Sequence, residues 1–418
     1  MRHRSLVLTL VMAVMVASAT AVGASTVQQP THLAVGAATS ASQVEANTTG
    51  TKPAWADVSS PFASSVKANT YGSVTGYNPL PQACGDTNPV NVLGAMYQLV
   101  LIGVSQVRCD LNWWSVQPTN ASTYYWSTYD NVVNAAAHFG ITVLFTVGYT
   151  PPWARPNPLP AGTSDPSHVP PVHVNDFVRF VAAAVNRYSP VGRARVSSVV
   201  GSVSEWEIWN EPNLSGGWTP ADPVRYGNFL HDVAWAIHRL DHKAIVISGG
   251  MAPAGNTPGN YSPQTFIADM VPTGVFKQVN GIGIHPYTFP AYPNEKLNFN
   301  PFYNAVPAIY YVMLVYGLGN LKIWATEIGW PTSSASPQSY RFWDGIQVGT
   351  EAYQAVELPL TIKTWFTFPY AGPLFLYAER DKCSDNTQWL CKMGIERPDG
   401  SHKPAYATVH AQLLKPLP

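Results

Sequence analysis

The stretch VSEWEIWNEPN, Val203 to Asn213, decides how this chain is to be read. As a strand, it puts Ser204, Trp206, Ile208 and Asn210 on one face and Glu205, Glu207, Trp209 and Glu211 on the other. Pro212 has no N–H to give a ladder, so the strand is expected to stop there. A glutamate at the carboxyl end of a strand, halted by proline and flanked by tryptophan, stands where an α/β barrel keeps its reactive groups. The plainer alternative is a buried strand with a surface glutamate at its tip. Glu205 and Glu207 are expected deeper in the barrel or at its base, in structural roles.

Working outward, strand-like and helix-like segments alternate along the chain. Strands are expected near Tyr71–Tyr77, Val104–Asp110, Ile141–Gly148, Val203–Glu211, Ala244–Gly250, Gly281–Tyr287, Lys322–Trp330 and Pro373–Glu379. Helices are expected over Val92–Leu101, Ser127–Phe139, Val174–Tyr188, Asp222–Leu240, Pro263–Met270, Pro301–Tyr316, Tyr340–Phe366 and Pro404–Leu414. Gly140 closes the second helix and Pro223 opens the fourth. Eight β-then-α units in one run predict the α/β class and a (β/α)8 TIM barrel rather than an open sheet.

Composition narrows the partners. Charged residues make up only 11 % of the 418, with Lys+Arg (24) equal to Asp+Glu (24), so no nucleic-acid footprint is expected. Fourteen tryptophans and 21 tyrosines suit flat hydroxylated ligands, and equally suit a large core. Arg2, His3 and Arg4 followed by apolar Leu6–Val16 and small residues to Ala24 read as a signal peptide over 1–24. Residues 25–67, rich in Ala, Ser, Thr, Gln and Val, read as a flexible linker, and 68–418 as one catalytic domain. The apolar run is short for a membrane span, and a retained anchor is the alternative. A secreted monomer with no integral membrane span in its mature form is therefore expected. Four cysteines suit an oxidising compartment; Cys383 and Cys391 are near enough for a local bridge, leaving Cys84 with Cys109, and all three connectivities stay open.

The second carboxylate is Glu327, in WATEIGWPT, which also ends a buried strand, with Gly329 and Pro331 breaking the run. Parallel strands bring both glutamates to one rim, on the fourth and seventh strands. Two carboxylates flanking a bond are what glycoside cleavage requires: one protonated to serve the leaving oxygen, one ionised to attack or to activate water. An arginine ending a buried strand needs an anion, and for Arg108 that anion is Glu327 across the mouth, or else Asp110 or another carboxylate. His285, before Pro286, and Tyr287 are either site residues or core groups.

WEIWNEPN and TEIGWP together resemble the acid/base and nucleophile strands of the clan A retaining glycoside hydrolases. VSQVRCDLNWWSVQP, VGYTPPW, GIHPY and RPDGSHKPAY resemble further segments of that clan, near its family 39 and family 5 (cellulase-like) branches, over about residues 71–414. The resemblance implies Glu211 as proton donor and later base, and Glu327 as nucleophile. It implies Asn210 on the sugar 2-hydroxyl, Arg108 and Tyr287 bonded to Glu327, and His285 beside the sugar. The substrate implied is a β-linked polysaccharide or oligosaccharide. The alternatives are an exo-acting, β-xylosidase-like β-glycosidase and a non-catalytic carbohydrate-binding barrel. Candidates for stacking on a sugar are Trp113, Trp114, Trp153, Trp218, Trp330 and Tyr377, with Trp153 and Trp330 foremost because they follow strand ends. One departure stands out: the clan often places a tryptophan on the eighth strand beneath the reactive sugar, whereas this strand reads Pro373-Leu374-Phe375-Leu376-Tyr377. No HExxH, paired CxxC, GxSxG or Gly-rich phosphate loop follows from the sequence, so neither metal nor cofactor is expected.

Overall fold

The computed structural model describes residues 75–78, 84–289, 291–295, 302, 305–335, 342–343, 345–385 and 387–415. The expected signal peptide and linker lie outside the described residues, as does the start of the first expected strand. Eight parallel strands close into a barrel: β1 (Thr75–Asn78), β2 (Gln106–Asn112), β3 (Thr142–Gly148), β4 (Glu205–Ile208), β5 (Ile245–Ser248), β6 (Gly281–Ile284), β7 (Lys322–Ile328) and β10 (Ala371–Tyr377). They pair in sequence order, and β10 returns to β1 to complete the ring. A small antiparallel hairpin, β8 (Phe342–Trp343) and β9 (Ile346–Gln347), lies between β7 and the helix after it.

One helix follows each barrel strand: α1 (Pro89–Ile102), α2 (Ser127–Phe139), α3 (Val174–Tyr188), α4 (Pro223–Leu240), α5 (Pro263–Met270), α6 (Val306–Val315), α7 (Glu351–Trp365) and α8 (Pro404–Leu413). Local chemistry fixes their ends. Asn88 and Asp222 cap α1 and α4 through side-chain oxygens, and Gly140 stops α2 with a φ of 70°. α3 shows why the outer ring adheres: Phe177, Phe180, Val181, Ala184, Val185 and Tyr188 share one stripe and are wholly buried. α7 begins eleven residues later than the sequence suggests, because Gly345 and Gly349, both at positive φ, form the hairpin and turn before it. Pro359 sits inside α7 and cannot donate to the Ala355 carbonyl. The Thr408 hydroxyl of α8 donates to that carbonyl instead, at 2.7 Å, which keeps the helix whole.

The barrel interior is packed in layers. Near the base Gln106 faces Glu205, with its amide 3.4 Å from both carboxylate oxygens. Leu144, Ile247, Trp324 and Phe375 form an apolar layer. Gly281 makes room for the tryptophan, since a Cβ there would stand 2.7 Å from its indole nitrogen. This layer seals the barrel, so ligand access is from the carboxyl ends of the strands alone. Cys84 pairs with Cys109, tying the segment before α1 to β2, and Cys383 pairs with Cys391, closing a loop after β10. Among the described residues no helix is long and apolar enough to cross a membrane.

Glu205 yields a stability prediction. Burial pushes its carboxyl from 4.5 up to about 7, so between those values the folded state holds a proton that the unfolded chain gives up. Stability must therefore fall as pH rises through that window, by at most about 3 kcal/mol. Glu205→Gln is expected to remove the loss, so that its melting temperature exceeds the wild type's at pH 8 but not at pH 4.5, as read by calorimetry.

Candidate active site

The site is built on a strained turn. β4 ends at Ile208 rather than running to Glu211, because Trp209 and Glu211 adopt left-handed backbone with φ of 74° and 47°. Such a conformation costs a side-chain-bearing residue about 1–2 kcal/mol, and here it is clasped from several sides. The Trp209 N–H donates to Val147 O and the Glu211 N–H to Gly250 O, both at 2.9 Å. The Trp209 indole donates to Gly217 O at 2.5 Å and packs against Trp218, Phe229 and Phe177. The turn reverses the expected faces. Trp209 swings out into the layer between barrel and helices, while Asn210 turns inward and accepts from Arg108 Nη2 at 2.7 Å. Asn213 fastens the exit, its amide donating to Ala252 O and Tyr261 O and accepting from Ala252 N–H.

Glu327 reaches the site through a bulge. Leu374 of β10 pairs with Ala325 of β7, and Leu376 with Ile328, so two residues of one strand face three of the other. Ala325 and Ile328 stay in the outer core. Glu327 is thereby aimed into the barrel, where Arg108 Nη1 donates to Oε1 at 2.7 Å and the Tyr287 hydroxyl donates to Oε2 at 2.9 Å. Arg108 lies at the centre of this arrangement. Its Nε also donates to Glu207, whose carboxylate further accepts from the Thr146 hydroxyl at 2.6 Å and the Gly250 N–H at 2.9 Å. Of the partners open to Arg108 in the sequence, the structure selects Glu327 and adds Glu207 and Asn210.

His285 joins the two candidate carboxylates. Its Nδ1 stands 3.0 Å from Glu211 Oε1 and 3.8 Å from Glu327 Oε2. The ring is fully buried against Gly250, where a Cβ would come within 2.1 Å of Nε2, so only glycine fits. The shared Nδ1 keeps those two oxygens within roughly 7 Å of each other, against about 5–5.5 Å for retaining pairs and about 6.5–9.5 Å for inverting ones. Burial alone would raise the Glu327 carboxyl, but His285, Arg108 and the Tyr287 hydroxyl outweigh it and hold it below the ordinary range. Burial likewise opposes charge on His285, and Glu327 with the Glu211 hydrogen bond outweighs it, so the imidazole is pushed up.

The six polar site residues expected from the sequence thus come together: Glu211, Glu327, Asn210, Arg108, His285 and Tyr287. The aromatics divide. Trp218 and Trp330 are wholly buried and offer no face to a ligand, which corrects the stacking role expected for them. Trp218 instead supports Trp209, Tyr226 and Phe229. Trp113 is likewise buried, packed on Phe177 and Phe180. Trp153 is half-buried, with its edge on Trp113 and its indole donating to Gln117 O at 2.7 Å. Of the two residues weighed for the eighth-strand platform, Phe375 belongs to the sealed interior layer, and half-buried Tyr377 ends β10 beside Lys382. Sequence reasoning passed over two mouth residues, Tyr149 after β3 and Lys382, and weighed Asp110, one inward position beyond Arg108, only as a partner for that arginine. Alternation from Arg108 puts Asp110 on the same inward face. Lys382 lies in a loop with no periodic signal.

No protein-family model matches the chain, and no curated protein matches its sequence. Solved structures do match. A family 39 glycoside hydrolase from Bacteroides cellulosilyticus WH2 superposes with a TM-score of 0.62 at 23 % identity, over 84 % of this chain and 65 % of that one. A GH39 β-xylosidase from Caulobacter crescentus gives 0.56 at 17 %, over 82 % and 71 %. A GH5_18 protein from Streptomyces cattleya, in complex with Manb1-4GlcNAc, gives 0.57 at 16 %, over 82 % and 80 %. The fold is theirs. The chain spans 65 % of the length of the Bacteroides protein, and at these identities the likeness speaks for the barrel alone.

Two outcomes follow from the geometry. Arg108→Met leaves Glu207 and Glu327 without their cation inside the barrel and is expected to cost about 3–5 kcal/mol of stability in urea denaturation. Tyr287→Phe removes one donor to the ionised Glu327, so its titration should move up by about one pH unit or less, read as an upward shift of the acid limb of a pH–rate profile.

Proposed function

We propose that the chain is a retaining glycoside hydrolase acting on a β-linked polysaccharide or oligosaccharide. The observation that carries this reading is the pair Glu211 and Glu327, joined at one mouth through His285, with only Glu327 gripped by Arg108 and Tyr287. A carboxylate whose pKa is lowered by His285, Arg108 and the Tyr287 hydroxyl is suited to nucleophilic attack. Glu211, on a half-exposed turn free of any arginine, is suited to carry and return a proton.

The steps balance as follows. Glu211 gives its proton to the glycosidic oxygen while Glu327 attacks the anomeric carbon, so the C–O bond breaks and a glycosyl ester of Glu327 forms. Glu211, now ionised, takes a proton from water, whose oxygen displaces Glu327 and restores both groups. Arg108 carries Asn210 on its Nη2 and so leaves the amide N–H groups of Asn210 free to donate to a sugar 2-hydroxyl, where such bonds strengthen in the transition state. The chain's two disulfides and its expected leader support export, so the natural substrate lies outside the cytoplasm.

A panel of aryl β-glycosides and β-linked polysaccharides tests the reading. Glu327→Ala is expected to abolish turnover. Glu211→Ala should lose about 10²–10⁴-fold on substrates whose leaving group needs a proton, and far less on dinitrophenyl glycosides. Mass spectrometry after a 2-fluoro-glycoside inactivator should find the sugar on Glu327; another labelled carboxylate overturns the assignment. Sugar binding without turnover, equal in wild type and Glu327→Ala, would make the chain a carbohydrate-binding barrel. Turnover of aryl glycosides but not of polymers would assign it to chain ends.

A further inference from the structure

Two charged side chains in the mouth have no part in the chemistry above. Asp110 follows Arg108 by two residues on β2, so it faces inward one step nearer the opening. It is exposed although its neighbours Cys109 and Leu111 are buried, so the space above it is open. Its carboxylate has no hydrogen-bond partner among the described residues, which leaves both oxygens available. Lys382, in the loop after β10, is also exposed. Its ammonium donates to the Tyr377 hydroxyl and lies 4.7 Å from that ring's centre. One of its three protons is thereby used. Register puts the two on the same wall. Tyr377 pairs with Asn78 of β1, and Tyr77 with Val107 of β2, so Tyr377 and Arg108 stand at one height with β1 between them. The electrostatics place the two within reach of each other: enclosure in the mouth, with Glu327 and Glu207, raises the Asp110 carboxyl, Arg108 and then Lys382 oppose that rise, and Asp110 in turn favours the charged form of Lys382.

The Lys382 end of this wall stands opposite Glu211, and the Asp110 end, on β2, lies two strands from β4. In the ring of eight strands β4, which leads into Glu211, lies four places from β10 in either direction. A sugar whose glycosidic oxygen meets Glu211 on the β4 side and whose anomeric carbon meets Glu327 on β7 turns its far edge toward the arc from β10 through β1 to β2, where Lys382 and Asp110 stand. The far edge of a pyranose carries two adjacent hydroxyls. Each can donate to a carboxylate and accept from an ammonium, which is what this pair offers. A carboxylate on that edge would instead sit beside Asp110, in a mouth already holding Glu207, Glu211 and Glu327 against Arg108 and His285. Lys382 is already engaged by Tyr377.

We infer that Asp110 and Lys382 clamp the two adjacent hydroxyls at the far edge of the glycone, making the site selective for an uncharged sugar at a chain end. The inference rests on the glycosidase reading for the sugar's orientation. A chain continuing from the far edge would remove a hydroxyl the clamp needs and would run into the wall that makes it.

The test compares wild type, Asp110→Asn and Lys382→Met on the aryl β-glycoside that wild type turns over best. Alongside it run the 4-deoxy analogue and the corresponding uronide. Binding of the matching methyl glycosides to Glu327→Gln, with and without each clamp substitution, is read separately by tryptophan fluorescence. Both clamp residues are exposed, so unchanged melting temperatures are expected and act as the folding control. Deleting the 4-hydroxyl should cost wild type about 10²-fold or more in kcat/KM, and each substitution about as much on the parent glycoside. Deletion and substitution together should cost little more than either alone, because both remove the same bonds. The uronide should be refused by wild type, and Asp110→Asn should relax that refusal. Losses that multiply independently, a uronide preferred over the uncharged sugar, or no effect of either substitution on binding or turnover would overturn the clamp. Absence of all turnover while the binding losses still fail to multiply would sink the hydrolase and keep the clamp.

Discussion

Everything at the mouth depends on one buried guanidinium. Arg108 sits near the barrel axis with almost no exposure and is tied to Glu207, Glu327 and Asn210, which come from two other strands and a turn. An arginine so far from water is tolerable only with anions against it. Burial opposes its charge, yet Glu207, Glu327 and Asp110 outweigh the penalty and raise its pKa further. The guanidinium is planar and forked, so its directions of donation are rigid. Nε holds Glu207 below, Nη1 Glu327 across, and Nη2 the Asn210 amide beside. The single cation therefore sets the mutual placement of its neighbours and, with His285, lowers the pKa of Glu327.

The same demand explains the roles of the glutamates. Glu207 is wholly buried and wholly satisfied by Arg108, Thr146 and Gly250 N–H, so it has nothing left for a ligand. Glu327 receives the rest of the cation and keeps some exposure. Glu211 receives none of it. Its position comes instead from a backbone that no ladder would choose, held by aromatic packing around Trp209 and by the Gly250 carbonyl. Strain of this kind persists only where the surroundings over-determine the chain. The tryptophans around the site thus act mainly from outside the barrel, by forcing the turn.

How far the sequence could be read follows from these mechanisms. Periodicity predicted the eight β-then-α units, because buried parallel strands and one-sided helices leave strong patterns. α2, α3 and α5 fall on their expected bounds. Most of the polar site residues were legible because they stand at or just beyond strand ends; Arg108, expected at an end, lies inside β2, which runs on to Asn112. What failed were inferences that extended regular geometry past the end of the regular element. Strict alternation put Trp209 and Glu207 on one face, and a positive φ undid it. Trp330, just past a strand end, and Trp218, in the loop after β4, were expected to offer open faces and proved to be packing. Helical periodicity over residues 340–350 hid a hairpin made by Gly345 and Gly349. Asp110 was visible on β2 but read only as a rival partner for Arg108.

Lys382 could not be found that way, and its loop shows why an exposed lysine can nevertheless hold a fixed place. The adjacent Asp381 is buried and accepts from Lys403 Nζ at 2.8 Å and the Gly394 N–H at 2.9 Å, with Lys392 Nζ 3.1 Å from its other oxygen. Lys403 also donates to the Thr332 hydroxyl at 2.6 Å, and Thr332 N–H donates to Lys392 O, so the loop is bound to the exit of β7. On its other side Cys383 closes a disulfide with Cys391, and Trp389 within that loop packs on Phe289, which packs on Tyr287. A lysine on a free loop loses most of its interaction energy to side-chain and backbone entropy. Lys382, flanked by a buried ion pair and a covalent link, has much of that ordering done by folding. The barrel brings Glu211 and Glu327 together, and the braced loop after its last strand holds Lys382 against Tyr377 at the same mouth.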